Sequence, residues 1–293
     1  MDYSQEGDAV TLTGCDSFNI AETLECGQCF RYERLSDSEY HITANARSLF
    51  IRQNEGVTLF YKTTIQEFEE IWAPYFDLNR DYRAVKDTLA SNDLVMRDAV
   101  EYTRGIHILK QDPWECLVSF IISQNNNIPR IKKITDTLAR TFGKQLEDGV
   151  YAFPTPEDLA NVSLDDLLNC KTGFRAKYIM DAAKKVSSGV INLGDLNNMP
   201  TEKARESLMG LKGVGGKIAD CVLLFAYGRT EVFPTDVWIK RVMQHFYFNK
   251  QDASITEIHK LASARFSEYA GFAQQYLYVY AREFLKPVKL SES

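Results

Sequence analysis

Several things are missing from this chain, and each absence narrows the reading. No run of eighteen apolar residues occurs in its 293 positions, which excludes a membrane-spanning helix. The opening MDYSQEGDAV has neither the basic nor the apolar region of a secretory signal, so a soluble intracellular protein is expected, in the cytoplasm or nucleoid of a prokaryote or the nucleus of a eukaryote. The six cysteines, at 15, 26, 29, 116, 170 and 221, are scattered in apolar or mixed contexts and give no disulfide framework. Cys26-Gly27-Gln28-Cys29 is a C-x-x-C, but no second C-x-x-C or H-x-x-H completes a metal site, and no thioredoxin-like βαβ pattern surrounds it. No metal and no redox or organic cofactor is therefore expected. Internal repeats and low-complexity segments are absent as well.

What is present is a large apolar fraction, 45% with 12% aromatics, enough for two or three domains. From residue 8 to about 62, AVTLTG, FRYERL, YHITANARSLFIRQ and VTLFYK are short, rich in β-branched and aromatic residues, and separated by Gly, Ser, Asp and Asn. They predict an antiparallel sheet whose apolar side is covered by the helices that follow. From Thr64 the period becomes helical, with Ile65, Phe68, Ile71 and Trp72 at helical spacing. The expected class is α+β: a sheet domain with covering helices over 1–100, then a mostly helical domain over 101–293. In the latter, Pro113-Trp114 and Pro129 open successive helices, Ala176 to Val186 forms another, and the pattern stays helical to Phe284 before a tail, VKLSES, expected to fray.

The helical part is organised around Leu208 to Val242. Gly213-Val214-Gly215-Gly216 is too glycine-rich for helix and is followed by Lys217 at the first turn of an apolar segment from Ile218 to Tyr227. A helix start carries unsatisfied N–H groups and the positive end of the dipole, which disfavours an ammonium and favours the free, nucleophilic amine. Asp236, after Phe233-Pro234-Thr235, has the pattern of an N-cap whose ionised carboxylate could stabilise a developing cation. Singly, the lysine is equally a phosphate contact and the aspartate equally a plain cap.

Together, L-x-G-V-G-x-K, a helix, and V-x-P-x-D resemble the helix-hairpin-helix plus Gly/Pro-Asp signature of base-excision DNA glycosylases, with the hairpin motif at about 205–227. Within them GVGGKIADC resembles the 8-oxoguanine DNA glycosylase branch. The lack of a four-cysteine cluster after Asp236 sets the chain apart from the iron–sulfur glycosylases. Four further blocks carry the resemblance. In FIISQNNNIPR it implies that Asn125 fills the space left by an extruded base and Arg130 reads the widowed cytosine, although a loop or cap cluster also accounts for three asparagines. In GFRAKY it implies a wedge at Phe174, where tyrosine is familiar, and a second cytosine reader at Arg175. In CGQCFR it implies that the Gly27 carbonyl distinguishes 8-oxoguanine, whose N7 is a donor, from guanine, whose N7 is an acceptor, with Phe30 at the same pocket. In GFAQQYLY, Gln274 and Tyr278 lie four apart on one helical face; the resemblance implies that Gln274 bonds the base edge while Tyr278, Cys221 and Phe225 enclose it. The hairpin amides of Gly213, Val214 and Gly215 are implied to hold a phosphate, with Trp238 nearby. Lys212, Phe225 and Trp238 depart from the family's usual proline, methionine and histidine.

The resemblance implies a monomeric repair enzyme that flips 8-oxoguanine out of duplex DNA opposite cytosine, cuts its glycosidic bond through Lys217 with Asp236, and nicks the strand through a Schiff base. A net charge of −6 is unusual for a DNA-binding protein, but residues 130–217 carry +3 and the remainder −9. Three alternatives stay open: a lysine-bearing glycosylase for another damaged base, a noncatalytic helix-hairpin-helix binder, and a C-x-x-C oxidoreductase.

Overall fold

The computed structural model describes residues 1–285 except Asn92 and Asp148; the tail VKLSES lies outside the described residues. Strands β1 (Asp2–Glu6), β2 (Ala9–Thr13), β3 (Tyr32–Arg34), β4 (Glu39–Ala44), β5 (Arg47–Asn54) and β6 (Val57–Tyr61) form one antiparallel sheet in the order β1-β2-β6-β5-β4-β3. Alternation determines its inner face: Val10 and Ile51 both stand opposite Phe60, and Ile42 opposite Leu49, all buried. Helix α1 (Ile20–Glu25) and a segment made of α2 (Ile65–Glu67), a π-helical turn (Phe68–Trp72) and α3 (Ala73–Tyr75) supply the cover, with Phe68, Trp72 and Phe76 against the sheet. Two of these elements were not expected. β1 is exposed at every position, so it has no apolar alternation and is held by its pairing with β2; α1 is too short to display a helical period.

Next come α4 (Tyr82–Ala90), α5 (Leu94–Tyr102), α6 (Pro113–Ser123), α7 (Ile128–Phe142), a small hairpin of β7 (Gln145–Glu147) and β8 (Val150–Tyr151), α8 (Pro156–Ala160) and α9 (Leu164–Asn169). The chain continues through α10 (Ala176–Ser187), α11 (Thr201–Met209), α12 (Gly216–Phe225), α13 (Val237–Tyr247), α14 (Ile255–Phe266) and α15 (Ala270–Phe284). Tyr82, Val85, Leu89, Met96 and Ala99 of α4 and α5 pack into the large helical core, and so do Cys26 and Phe30 from the sheet region. That last insertion brings a turn of the first module to the helices. Among the described residues no helix is long and apolar enough to cross a membrane.

α11 and α12 are tied by Arg205, whose Nε donates to the buried Asp220 Oδ1 at 2.6 Å. The hairpin between them is braced by α10: Asp181 accepts from the Lys212 amide at 2.9 Å, and Lys185 Nζ donates to the Gly210 carbonyl at 2.9 Å. Gly213 has φ +76°, and a Cβ there would lie 2.3 Å from Tyr178 Cδ2, so only glycine lets the hairpin pass this close to α10.

Candidate active site

A small cavity of about 60 Å³ opens where α6, α12, α15 and the Cys26–Gln28 turn converge. α12 contributes Lys217, Cys221 and Phe225; Pro234 and Asp236 precede α13; α15 contributes Gln274, Gln275 and Tyr278; Cys26 and Gly27 come from the sheet module, and Phe120 from α6. Lys217 is the second residue of α12, after an N-cap at Gly215. Its Nζ stands 5.2 Å from the centre of the Phe120 ring, which stacks on Phe225 at 5.5 Å and 12°. Asp236 is the N-cap of α13, its Oδ1 accepting from the Ile239 amide at 2.7 Å. The glycine and proline signals therefore do place amine and carboxylate at two helix mouths that face one cavity. Burial pushes the Cys221 thiol up to about 11, with Lys217 pulling it partly back, so the sulfur is a neutral surface for a flat ring. Tyr278 is likewise raised by burial.

The Oε1 of Gln274 is buried and accepts no hydrogen bond among the described residues. A buried unpartnered amide oxygen in a cavity wall is costly unless a ligand completes it. The aromatic rings of Phe120 and Phe225 and the Tyr278 ring give that cavity flat apolar walls beside the amide.

Seven expected residues meet at this cavity: Lys217, Asp236, Gly27, Cys221, Phe225, Gln274 and Tyr278. Phe30 does not; it is buried behind the wall, edge-on to Phe120 at 5.8 Å. Phe120, Pro234 and Gln275 line the cavity and were not singled out. Only their places in the quoted FIISQ, FPTD and AQQY runs pointed to them, because in pattern they are indistinguishable from core. The Cys26 and Cys29 thiols are buried and raised, Cys26 to about 12, with Cys26 Sγ donating to the Thr23 carbonyl at 3.1 Å. Neither is a ready thiolate.

The remaining candidates lie outside the cavity lining. Phe174 is 53% exposed on a 3-10 turn (Gly173–Arg175), edge-on to Tyr178 at 6.0 Å. Asn125 is exposed at φ +47° between α6 and α7, and Arg130 is exposed on the first turn of α7. The other two asparagines are structural: Asn126 Nδ2 donates to the Ile122 carbonyl at 3.0 Å, and Asn127 caps α7. Arg175 departs from expectation. It is only 3% exposed and donates to the carbonyls of Gln124 (Nε, 2.8 Å), Asn125 (2.9 Å) and Thr172 (3.2 Å). Its guanidinium is turned back to hold the Asn125 loop and presents no free fork to a base. Burial, then the neighbouring Arg130 charge, lowers its pKa.

The hairpin needs one correction and α13 another. The Val214 amide donates to the Leu211 carbonyl at 3.1 Å, so it is committed within the turn; among the described residues the Gly213 and Gly215 amides make no hydrogen bond to protein. Trp238 packs against the core with its Nε1 buried and unpartnered among the described residues, so its indole N–H is not offered to a phosphate. The ring's apolar area outweighs its one donor.

A helix-hairpin-helix beside a cavity holding lysine and aspartate defines a DNA-repair glycosylase scaffold. The profile of the HhH-GPD superfamily base excision DNA repair proteins matches residues 118–268, and that of the 8-oxoguanine DNA glycosylase N-terminal domain matches residues 12–117. The chain belongs to this superfamily, on its 8-oxoguanine DNA glycosylase branch. It is 31% identical over 257 residues, 79% of each chain, to a probable N-glycosylase/DNA lyase of Methanothermobacter thermautotrophicus. Among solved structures it resembles MBOgg1 bound to a low-affinity DNA ligand, at 44% identity and a TM-score of 0.94, covering 98% of this chain and 100% of that one. It also resembles the Clostridium acetobutylicum 8-oxoguanine glycosylase/lyase in complex with double-stranded DNA containing cytosine opposite 8-oxoG, at 36% identity and a TM-score of 0.93, covering 98% and 99%.

Proposed function

We propose that this chain is an intracellular, monomeric 8-oxoguanine DNA glycosylase and abasic-site lyase acting on lesions opposite cytosine. The observation that carries the reading is the shared cavity: Lys217 and Asp236 open into the same space as the Gly27 backbone and the unpartnered Gln274 amide. The Phe174 ring enters the base stack as the target nucleotide leaves it, offsetting part of the few kcal/mol that extrusion costs. Asn125 and Arg130 meet the orphaned cytosine, Arg175 keeps their loop in place, and the Gly213 and Gly215 amides hold a backbone phosphate.

Lys217 Nζ attacks C1′ as the bond to N9 of the base breaks, and the base departs with the bonding electrons. Asp236 stabilises positive charge developing on the sugar. Ring opening gives a Schiff base between Lys217 Nζ and C1′; loss of a C2′ proton then expels the 3′ phosphate, and water releases the lysine. Borohydride reduction in the presence of an 8-oxoguanine:cytosine duplex tests this directly. Wild type should give a covalent adduct and Lys217→Gln none, while Lys217→Gln still binds the duplex. A noncatalytic binder would give no adduct in either case. Equal excision of 8-oxoguanine opposite all four bases would remove Asn125 and Arg130 from their assigned role.

A further inference from the structure

The Cys26-Gly27-Gln28 turn is clamped on both sides of its glycine. Entering it, the Cys26 carbonyl accepts from Gln275 Nε2 at 2.9 Å, across 249 residues of sequence. Leaving it, the Gln28 carbonyl accepts from Gln111 Nε2 at 2.7 Å. The Gln28 side chain is also engaged: Nε2 donates to the Thr23 and His107 carbonyls, each at 2.8 Å, and Oε1 accepts from the Leu109 amide at 2.9 Å. Between these two held peptides Gly27 sits at φ +85°, and among the described residues its carbonyl accepts no hydrogen bond from protein. A glycine is the residue least able to hold its own orientation, so the direction of that carbonyl depends on the restraints beside it.

Those restraints are not equivalent. Gln28 and Gln111 anchor the leaving side of the turn to the segment that follows α5, where the Gln111 backbone amide in turn donates to the Phe225 carbonyl at 2.8 Å. Gln275 is 3% exposed and lies on α15, the helix that presents Gln274 and Tyr278 to the base pocket. It ties the entering side of the turn directly to the wall that carries Gln274 and Tyr278, as Gln111 ties the leaving side to Phe225.

We propose that Gln275 is a positioning residue for lesion recognition: by holding the Cys26 carbonyl it keeps the Gly27 carbonyl where it accepts from an N7–H and repels an unprotonated N7, and so sets the selection of oxidised purine over guanine. This rests on the functional reading above. Loss of the donor leaves a buried carbonyl unpaired and frees the peptide on the entering side of Gly27.

The test uses the full chain with Gln275→Met, similar in length but without a donor, and Gln275→Glu. Two reactions are followed: single-turnover excision from an 8-oxoguanine:cytosine duplex, and strand cleavage at a preformed abasic site, which has no base to read. Gln275→Met should lower excision about tenfold, the effect of one hydrogen bond, and leave abasic-site cleavage within twofold. Gln275→Glu should behave like Gln275→Met at high pH and recover excision relative to abasic cleavage as pH falls, because the protonated carboxyl again donates to Cys26. Wild-type excision in Gln275→Met, or an equal fall in both reactions with no acid recovery in Gln275→Glu, would overturn the proposal while leaving the enzyme assignment standing. A wild-type chain that excises nothing from 8-oxoguanine duplexes would overturn the assignment, and the role of Gln275 with it.

Discussion

Substituting Gly213 by alanine should damage the hairpin twice over, and the two contributions are separable. At φ +76° an alanine occupies the left-handed region at a cost of about 1–2 kcal/mol. Its Cβ would also meet the Tyr178 ring, with Cδ2, Cγ and Cε2 at 2.3, 2.4 and 2.7 Å, forcing the ring or the hairpin to move. Overpacking of that kind costs about 1–3 kcal/mol, so Gly213→Ala should lose roughly 2–5 kcal/mol in urea unfolding and weaken duplex binding as the hairpin shifts. Truncating the ring removes the obstruction and leaves the backbone strain. The double mutant Gly213→Ala/Tyr178→Ala should therefore be more stable than the sum of the single effects by about 1–3 kcal/mol, the coupling expected of residues in contact. Additivity within about 0.5 kcal/mol would refute the close approach of hairpin and α10.

Other outcomes follow from the same geometry. Burial pushes His107 down to about 3 from its ordinary 6.5; it accepts from or donates to Ser17 Oγ at 3.2 Å, bonds the Phe76 carbonyl at 3.0 Å and stacks on Tyr82 at 3.6 Å. Its contribution to stability is complete above pH 6.5 and is lost as pH falls towards 3, roughly 5 kcal/mol in all; His107→Gln should flatten that limb of the stability–pH curve even if it lowers the plateau. Arg175→Lys keeps the charge but loses the fork on Gln124 and Asn125, so it should impair excision about as much as Arg175→Ala; near-wild-type activity in the lysine variant would reduce Arg175 to a point charge. Phe174→Ala removes an exposed ring and should change unfolding free energy by under about 0.5 kcal/mol while slowing excision at least tenfold in single turnover.

What could be read from the chain and what could not divide along a physical line. Lys217 and Asp236 announced themselves through local chemistry, since glycines before one and proline before the other dictate where α12 and α13 begin. Gln274 and Tyr278 were readable because their spacing puts them on one face. Gln275 was not: α15 is buried at every position from Ala270 to Leu277, and no local pattern names a partner at Cys26. Phe120 shares its helix with Leu117 and Ile121 and differs from them only in what stands opposite. Arg175 follows an exposed aromatic and reads as exposed itself, yet two carbonyls of the Gln124–Asn125 loop and that of Thr172 on its own turn draw it inward. β1 escaped because edge pairing leaves no trace in side chains that all face water.

The contact between Cys26 and Gln275 has a bearing on biosynthesis. Gln274, Gln275 and Tyr278 lie on α15, so that wall of the cavity is made after the hairpin, Phe174, Lys217 and Asp236. A chain ending before α15 would lack that wall together with the buried side chains from Ala270 to Leu277, and so both the base pocket and part of the helical core.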